Sequence, residues 1–82
     1  MDLINLTEYI VKSIATNPDS VIVTEVPTNE DNTIEINVKV NEQDIGKVIG
    51  KNGKVANSIR NLVQESSSLK DNKFVKIKIE AN

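Results

Sequence analysis

All three glycines of this 82-residue chain fall within eight consecutive positions, at Gly46, Gly50 and Gly53 in the stretch IGKVIGKNGK. Glycine enters positive φ without steric cost and lets another backbone approach closely. Sharp reversals therefore belong here, and the rest of the chain has to use ordinary helices, strands and polar turns. Lys47, Lys51 and Lys54 share the same stretch. It is either a plain turn between helices or a loop that holds something negative.

The flanking patterns say what this turn joins. Leu3, Leu6, Ile10 and Ile14 recur at helical spacing and predict an amphipathic helix over 3–16, stopped by Asn17-Pro18. SVIVTEV (20–26) is rich in β-branched residues and reads as a strand, and PTNEDN (27–32) is turn chemistry. TIEINVKV (33–40) alternates, with Ile34, Ile36, Val38 and Val40 on one face, as a half-buried strand does. Asn41 stands where an N-cap belongs, with Glu42 and Asp44 placed to complement the dipole of a short helix through Ile45, Val48 and Ile49. A longer helix runs from Gly53 to about Ser66 on a stripe of Val55, Ala56, Ile59, Leu62 and Val63. Residues 66–72 read as a loop, and 73–80 as a strand with Val75, Ile77 and Ile79 inward. The order α-β-β-α-α-β implies a single α+β domain, a two-layer sandwich with a three-stranded sheet packed on helices.

Composition removes several function classes. The chain has no cysteine and no histidine, so thiolate zinc sites, disulfides and the usual neutral-range general base are excluded. Its carboxylates are dispersed, and Ser13 and Ser58 have no candidate base. The expectation is a protein that is not an enzyme, with no cofactor, no metal and no small-molecule substrate. The first residues, MDLINLTEYIVKS, lack a basic leader region and a long apolar run. A cytoplasmic protein without a membrane segment is expected.

Charge is polarised. Residues 45–64 carry Lys47, Lys51, Lys54 and Arg60 with no acid, whereas the remainder holds 6 basic and 12 acidic residues. A net charge of −2 thus conceals a positive segment, and with screening over about 8 Å a nearby ligand feels that segment first. A helix starting after Gly53 also turns free N–H groups toward an anion. Nucleotide-binding signatures fail on spacing. Only three residues separate Gly46 from Gly50, and Lys51 is followed by Asn52, so there is no Walker loop and no dinucleotide fingerprint.

Helix, GxxG and helix, carried by VIGKNGKVANSIRNLV, resemble the K-homology (KH) RNA-binding domain, and the element order resembles its type II form. With DIGKVIGKNGKVANSIRNLV following the PDSVIVTEV strand, nearly the whole chain is similar to the KhpA family of small bacterial single-KH proteins. The resemblance implies single-stranded RNA as partner, with Gly50, Lys51, Asn52 and Gly53 clamping the sugar–phosphate backbone. It implies an aliphatic groove for bases to which Gly46, Val48 and Ile49 contribute, and phosphate contacts from Lys47, Lys54 and Arg60. For Val48 and Ile49, core packing is an equal reading. A chain whose aromatics are Tyr9 and Phe74 suits a groove that does not rely on stacking, unlike RNA-recognition motifs and OB-folds. Glu30 and Asp31 in the 27–32 loop, by contrast, oppose further phosphate contacts from that side.

The resemblance also implies low sequence specificity and a role as RNA chaperone or post-transcriptional regulator, linked to cell-wall growth and cell length. It implies a homodimer, or pairing with a larger KH-containing protein of the KhpB (Jag) type. Ala56 and Leu62 extend the apolar stripe of the last helix and are the candidate dimer surface. The competing reading is a protein-interaction module that keeps the fold without binding RNA.

Overall fold

The computed structural model describes residues 2–70 and 72–82. Helix α1 (Leu3–Ile14) opens on Asp2, whose carboxylate accepts the Asn5 N–H at 2.7 Å, satisfying one of the free donors of the first turn. Leu3, Thr7 and Val11 form its buried face, and the Thr7 hydroxyl donates to the Leu3 carbonyl at 2.7 Å. The helix ends two residues before the expected boundary. Ala15 is already extended (ψ 140°), because the N–H groups of Thr16 and Asn17 are taken by the Asp44 carboxylate rather than by helical carbonyls.

A single 3-10 turn, Pro18–Ser20, occupies the start of the expected first strand, so β1 is confined to Ile22–Val26. Strand β2 (Thr33–Val40) has the expected bounds, and β3 spans Phe74–Ala81. The sheet order is β1-β2-β3. β1 runs antiparallel to β2 with Val23 opposite Val38, and β3 runs parallel to β2 with Ile36 opposite Ile77. A parallel pair needs a crossover connection, supplied by α2 (Ile45–Ile49) and α3 (Lys54–Lys70).

Helix α3 is longer than its sequence pattern, and 66–70 is helical rather than loop. Serine is a weak helix former, but Ser67 is buried and donates its hydroxyl to the Lys73 carbonyl at 2.8 Å. Gln64 adds a second clasp, donating to the same carbonyl at 2.9 Å and accepting the Val75 N–H at 2.8 Å. Together these bonds tie the last turns of α3 to the outer edge of β3. Helices cover one face of the sheet, where Val11, Val23, Ile36, Val38, Val48, Ile59, Val63 and Val75 make the core. Thr33, Glu35, Asn37 and Lys39 alternate with the core residues of β2, as the sequence predicts. Among the described residues no helix is long and apolar enough to cross a membrane.

Candidate nucleic-acid interface

The crossover positions the glycine-lysine stretch. After β2, the Asn41 side chain accepts the Gln43 N–H at 2.9 Å and caps a 3-10 turn, Glu42–Asp44, that leads into α2. Helix α2 stops at Gly50 (φ 77°, ψ 175°), backbone that is essentially restricted to glycine. A second constraint falls on the same residue, since a Cβ there would lie 2.4 Å from Cγ2 of Val55 and 2.9 Å from its backbone nitrogen. Lys51–Gly53 then form one 3-10 turn, in which Asn52 is left-handed (φ 57°, ψ 27°) and Gly53 follows at φ 75°. A Cβ on Gly53 would meet only Asn57 Nδ2, at 4.0 Å. The junction is thus a sharp reversal between two helices, and its tip residues are free of packing duties.

Gly46 differs from the other two. It lies inside α2, has ordinary helical geometry, and a Cβ there would meet nothing within 4 Å. Glycine inside a helix costs about 1 kcal/mol relative to alanine. No neighbour in the chain requires that cost, so the bare backbone is left facing solvent beside the turn.

The four predicted cations are spread along the turn and its two flanking helices. Lys51 and Lys54 are exposed, and among the described residues neither forms an ion pair. Helix α3 begins at Lys54 with no acidic residue in its first turn. The Gly53 and Lys54 N–H groups donate back to the Gly50 and Lys51 carbonyls, so what the turn offers an anion is the positive end of the α3 dipole, uncompensated by carboxylate. Lys47 is exposed and donates to Thr16 Oγ1 at 2.8 Å. Arg60 stands six residues along α3 from Lys54, about 9 Å away, and donates to Asn57 Oδ1 at 2.7 Å. It lines an open groove of about 680 Å³ between α3 and β3 with Asn61, Gln64, Phe74 and Lys76.

The predicted apolar wall divides in two. Ile49 is half-buried, whereas Val48 is 0 % exposed and belongs to the core; of the two readings open for its side chain, packing is the one its burial allows. Ala56 is half-buried and Leu62 is 53 % exposed. Glu30 of the 27–32 loop reaches Lys76 at 2.6 Å. The hydrogen bond and the charge of Glu30 raise the Lys76 pKa, so the acidic loop neutralises one cation of the groove.

Asp44 is the residue whose part the sequence concealed. Its position suggested a first-turn acid, yet it is 1 % exposed. The carboxylate accepts the N–H groups of Thr16 at 3.0 Å and Asn17 at 2.8 Å, and the Asn17 side-chain amide at 3.3 Å. Burial pushes its pKa up, but the hydrogen bonds from Asn17 and Thr16 outweigh burial and hold it below the ordinary carboxylate value. The partners lie 27 and 28 residues upstream, beyond the reach of any local pattern.

Two helices joined by a Gly-Lys-Asn-Gly turn, set as the crossover between parallel strands of a three-stranded sheet, define a KH domain. The particular family follows from comparison with known proteins: a model of the KhpA/KhpB KH domain matches residues 5–79, and the chain belongs to that family. Two relatives named RNA-binding protein KhpA, from Caldanaerobacter subterraneus subsp. tengcongensis and Clostridium perfringens, are each 42% identical over 74 residues, covering 90% of this chain and 95% of the relative. Among solved structures the fold is similar to part of Era. Aquifex aeolicus Era bound to GDP and aluminium fluoride aligns with a TM-score of 0.72 at 17% identity. Era in complex with MgGDPNP and a segment of 16S ribosomal RNA aligns at 0.69 and 17%. Each alignment covers 96% of this chain and 29% of the Era chain.

Proposed function

We propose that this chain is a single KH domain that binds single-stranded RNA with little sequence preference, gripping the sugar–phosphate backbone at Gly50, Lys51, Asn52 and Gly53. The observation that carries this reading is the reversal at Gly50, which leaves Lys51 and Lys54 without an ion pair among the described residues, beside a carboxylate-free helix start. Phosphate is the ligand such a terminus favours. The bare backbone of Gly46 and the half-buried Ile49 would receive bases by close apolar approach, while Lys47, Lys54 and Arg60 hold or steer phosphates. Relatives bearing the name RNA-binding protein KhpA support a binder rather than a catalyst.

One such site engages few phosphates, so avidity from a second domain would strengthen it. We assign that second domain to another copy through Ala56 and Leu62, or to a larger KH-containing partner of the KhpB (Jag) type. The cellular role is that of a cytoplasmic RNA chaperone or post-transcriptional regulator that serves cell-wall growth and cell length. A second reading, a protein-interaction module without RNA function, draws on Leu62 and Leu69, which are 53 % and 87 % exposed on α3.

Combined Lys51→Asp and Asn52→Asp substitutions separate the two readings. Both side chains are exposed, so the circular dichroism and thermal midpoint should hold. Binding of a fluorescent oligouridylate should fall by about a hundredfold, as expected where carboxylates meet phosphate. Unchanged oligonucleotide binding would remove the loop from the mechanism and favour the interaction module.

A further inference from the structure

Of the chain's asparagines, Asn52 alone precedes a glycine, and that pair forms the tip of the loop proposed to grip RNA. Asparagine amides are thermolabile. Their main route of decay is attack by the next residue's backbone nitrogen, which goes fastest where that residue has no side chain to obstruct it. Asn52 is exposed, and its ψ of 27° must rotate before the Gly53 nitrogen can reach the side-chain carbonyl carbon. The Gly53 N–H that must be released donates to the Gly50 carbonyl at 3.2 Å, the longest of the turn and cap backbone bonds among the described residues. By contrast Asn17 precedes a proline, which has no N–H to lose, and Asn57 and Asn61 precede serine and leucine inside α3.

We infer that Asn52 is a self-modification site whose deamidation converts the RNA-gripping loop into a closed, RNA-refusing one. The Gly53 nitrogen loses its proton and bonds to the Asn52 side-chain carbonyl carbon. The bond to the amide nitrogen breaks, and ammonia leaves. Water then opens the cyclic imide. Opening at the side-chain carbonyl gives aspartate, and opening at the backbone carbonyl gives isoaspartate, whose main chain carries one additional carbon. One water is consumed and one ammonia released, with no redox change.

The surroundings favour the product. Lys51, Lys54 and the start of α3 all lie within two residues of Asn52, so the local field is positive. The same groups stabilise the carboxylate that results, because the first turn of α3 holds no acid of its own. The new carboxylate therefore takes the place that a phosphate would take. The aspartate product keeps the backbone of the turn while the loop loses its ligand. Bound RNA, by holding the turn closed, slows the reaction, so idle protein is retired before working protein. This consequence rests on the RNA reading proposed above, whereas the chemistry at Asn52 does not.

The experiment ages the purified protein in warm, mildly alkaline buffer, with and without excess oligouridylate, against a sample kept cold and mildly acidic. Peptide mapping by mass spectrometry should find exchange of amide for acid at residue 52 well ahead of residues 57 and 61, and slower with oligouridylate present. Oligouridylate affinity should fall about tenfold in proportion to that exchange, with circular dichroism retained. Freshly made Asn52→Asp protein should show the same loss without ageing. Exchange at residue 52 no faster than at 57 or 61 overturns the site. Exchange without loss of affinity overturns the switch. Failure of fresh wild-type protein to bind RNA overturns the RNA reading and the switch with it, while the mapping still decides the chemistry.

Discussion

The Asp44 carboxylate receives the backbone N–H of Asn17 at 2.8 Å and that of Thr16 at 3.0 Å, clasping the end of α1 to the start of the glycine-bearing crossover. Lys47, one turn further on, donates to Thr16 Oγ1 at 2.8 Å. The approach of α2 to the loop is therefore set by a segment far away in sequence. These bonds favour the ionised carboxylate and hold its pKa below the ordinary value against the effect of burial. A group depressed in the folded state adds stability above its unfolded pKa and loses it as pH falls through its folded pKa. Asp44→Asn should lower the thermal midpoint by several degrees at neutral pH, and the difference from wild type should narrow in acid. Equal midpoints at neutral pH would contradict the assignment.

The two turn glycines should differ when replaced by alanine. Gly50 combines a glycine-restricted backbone with a Cβ position 2.4 Å from Val55 Cγ2, so strain and overpacking add. Loss of about 3 kcal/mol or more is expected for Gly50→Ala. Gly53→Ala meets only the left-handed penalty, about 1–2 kcal/mol, because its Cβ would have room. Urea denaturation of both variants measures the difference, and equal losses would show that Val55 yields.

That contrast marks where sequence legibility ends. Both glycines read as turn residues, because glycine clustering is a local signal, but the distance to Val55 is not. β2 was readable to the residue, since alternation from Thr33 to Val40 records burial directly. The end of α3 was not, because Ser66, Ser67 and Ser68 look like loop chemistry until Ser67 finds the Lys73 carbonyl. Lys47, Lys51, Lys54 and Arg60 were legible as an acid-free cluster. The part played by Asp44, just before them, was not, as its partners Thr16 and Asn17 lie far upstream in the chain.

Salt dependence tests the number of phosphates held. If roughly three are neutralised, the slope of log affinity against log salt should lie near −2, from about −0.7 per contact on single strands. Lys51→Ala should make the slope shallower by about 0.7 if Lys51 holds one phosphate. A slope indifferent to Lys51 would confine that residue to general steering.

Leu62 is 53 % exposed and lies on the same helix as the half-buried Ala56. If this face joins two copies, light scattering should give a dimer mass for wild type and a monomer mass for Leu62→Asp, with far-ultraviolet circular dichroism unchanged. A wild-type mass that Leu62→Asp leaves unaltered would place any self-association elsewhere.

Glu30 restrains the groove from the opposite side. Its bond to Lys76 at 2.6 Å spends a cation that lines the same groove as Arg60, and both partners are solvent-exposed. Exposed pairs contribute little to folding, so Glu30→Gln should scarcely move the thermal midpoint. The freed Lys76 should instead gain a phosphate, raising oligouridylate affinity by about twofold to threefold at low salt and steepening the salt slope by about 0.7. Lys76→Gln in the Glu30→Gln background should return both quantities to the wild-type values. Titrations of the three proteins across a salt series decide the matter: a gain that survives Lys76→Gln would mean that Glu30 acts by repelling RNA directly, and no gain would mean that RNA stops short of β3.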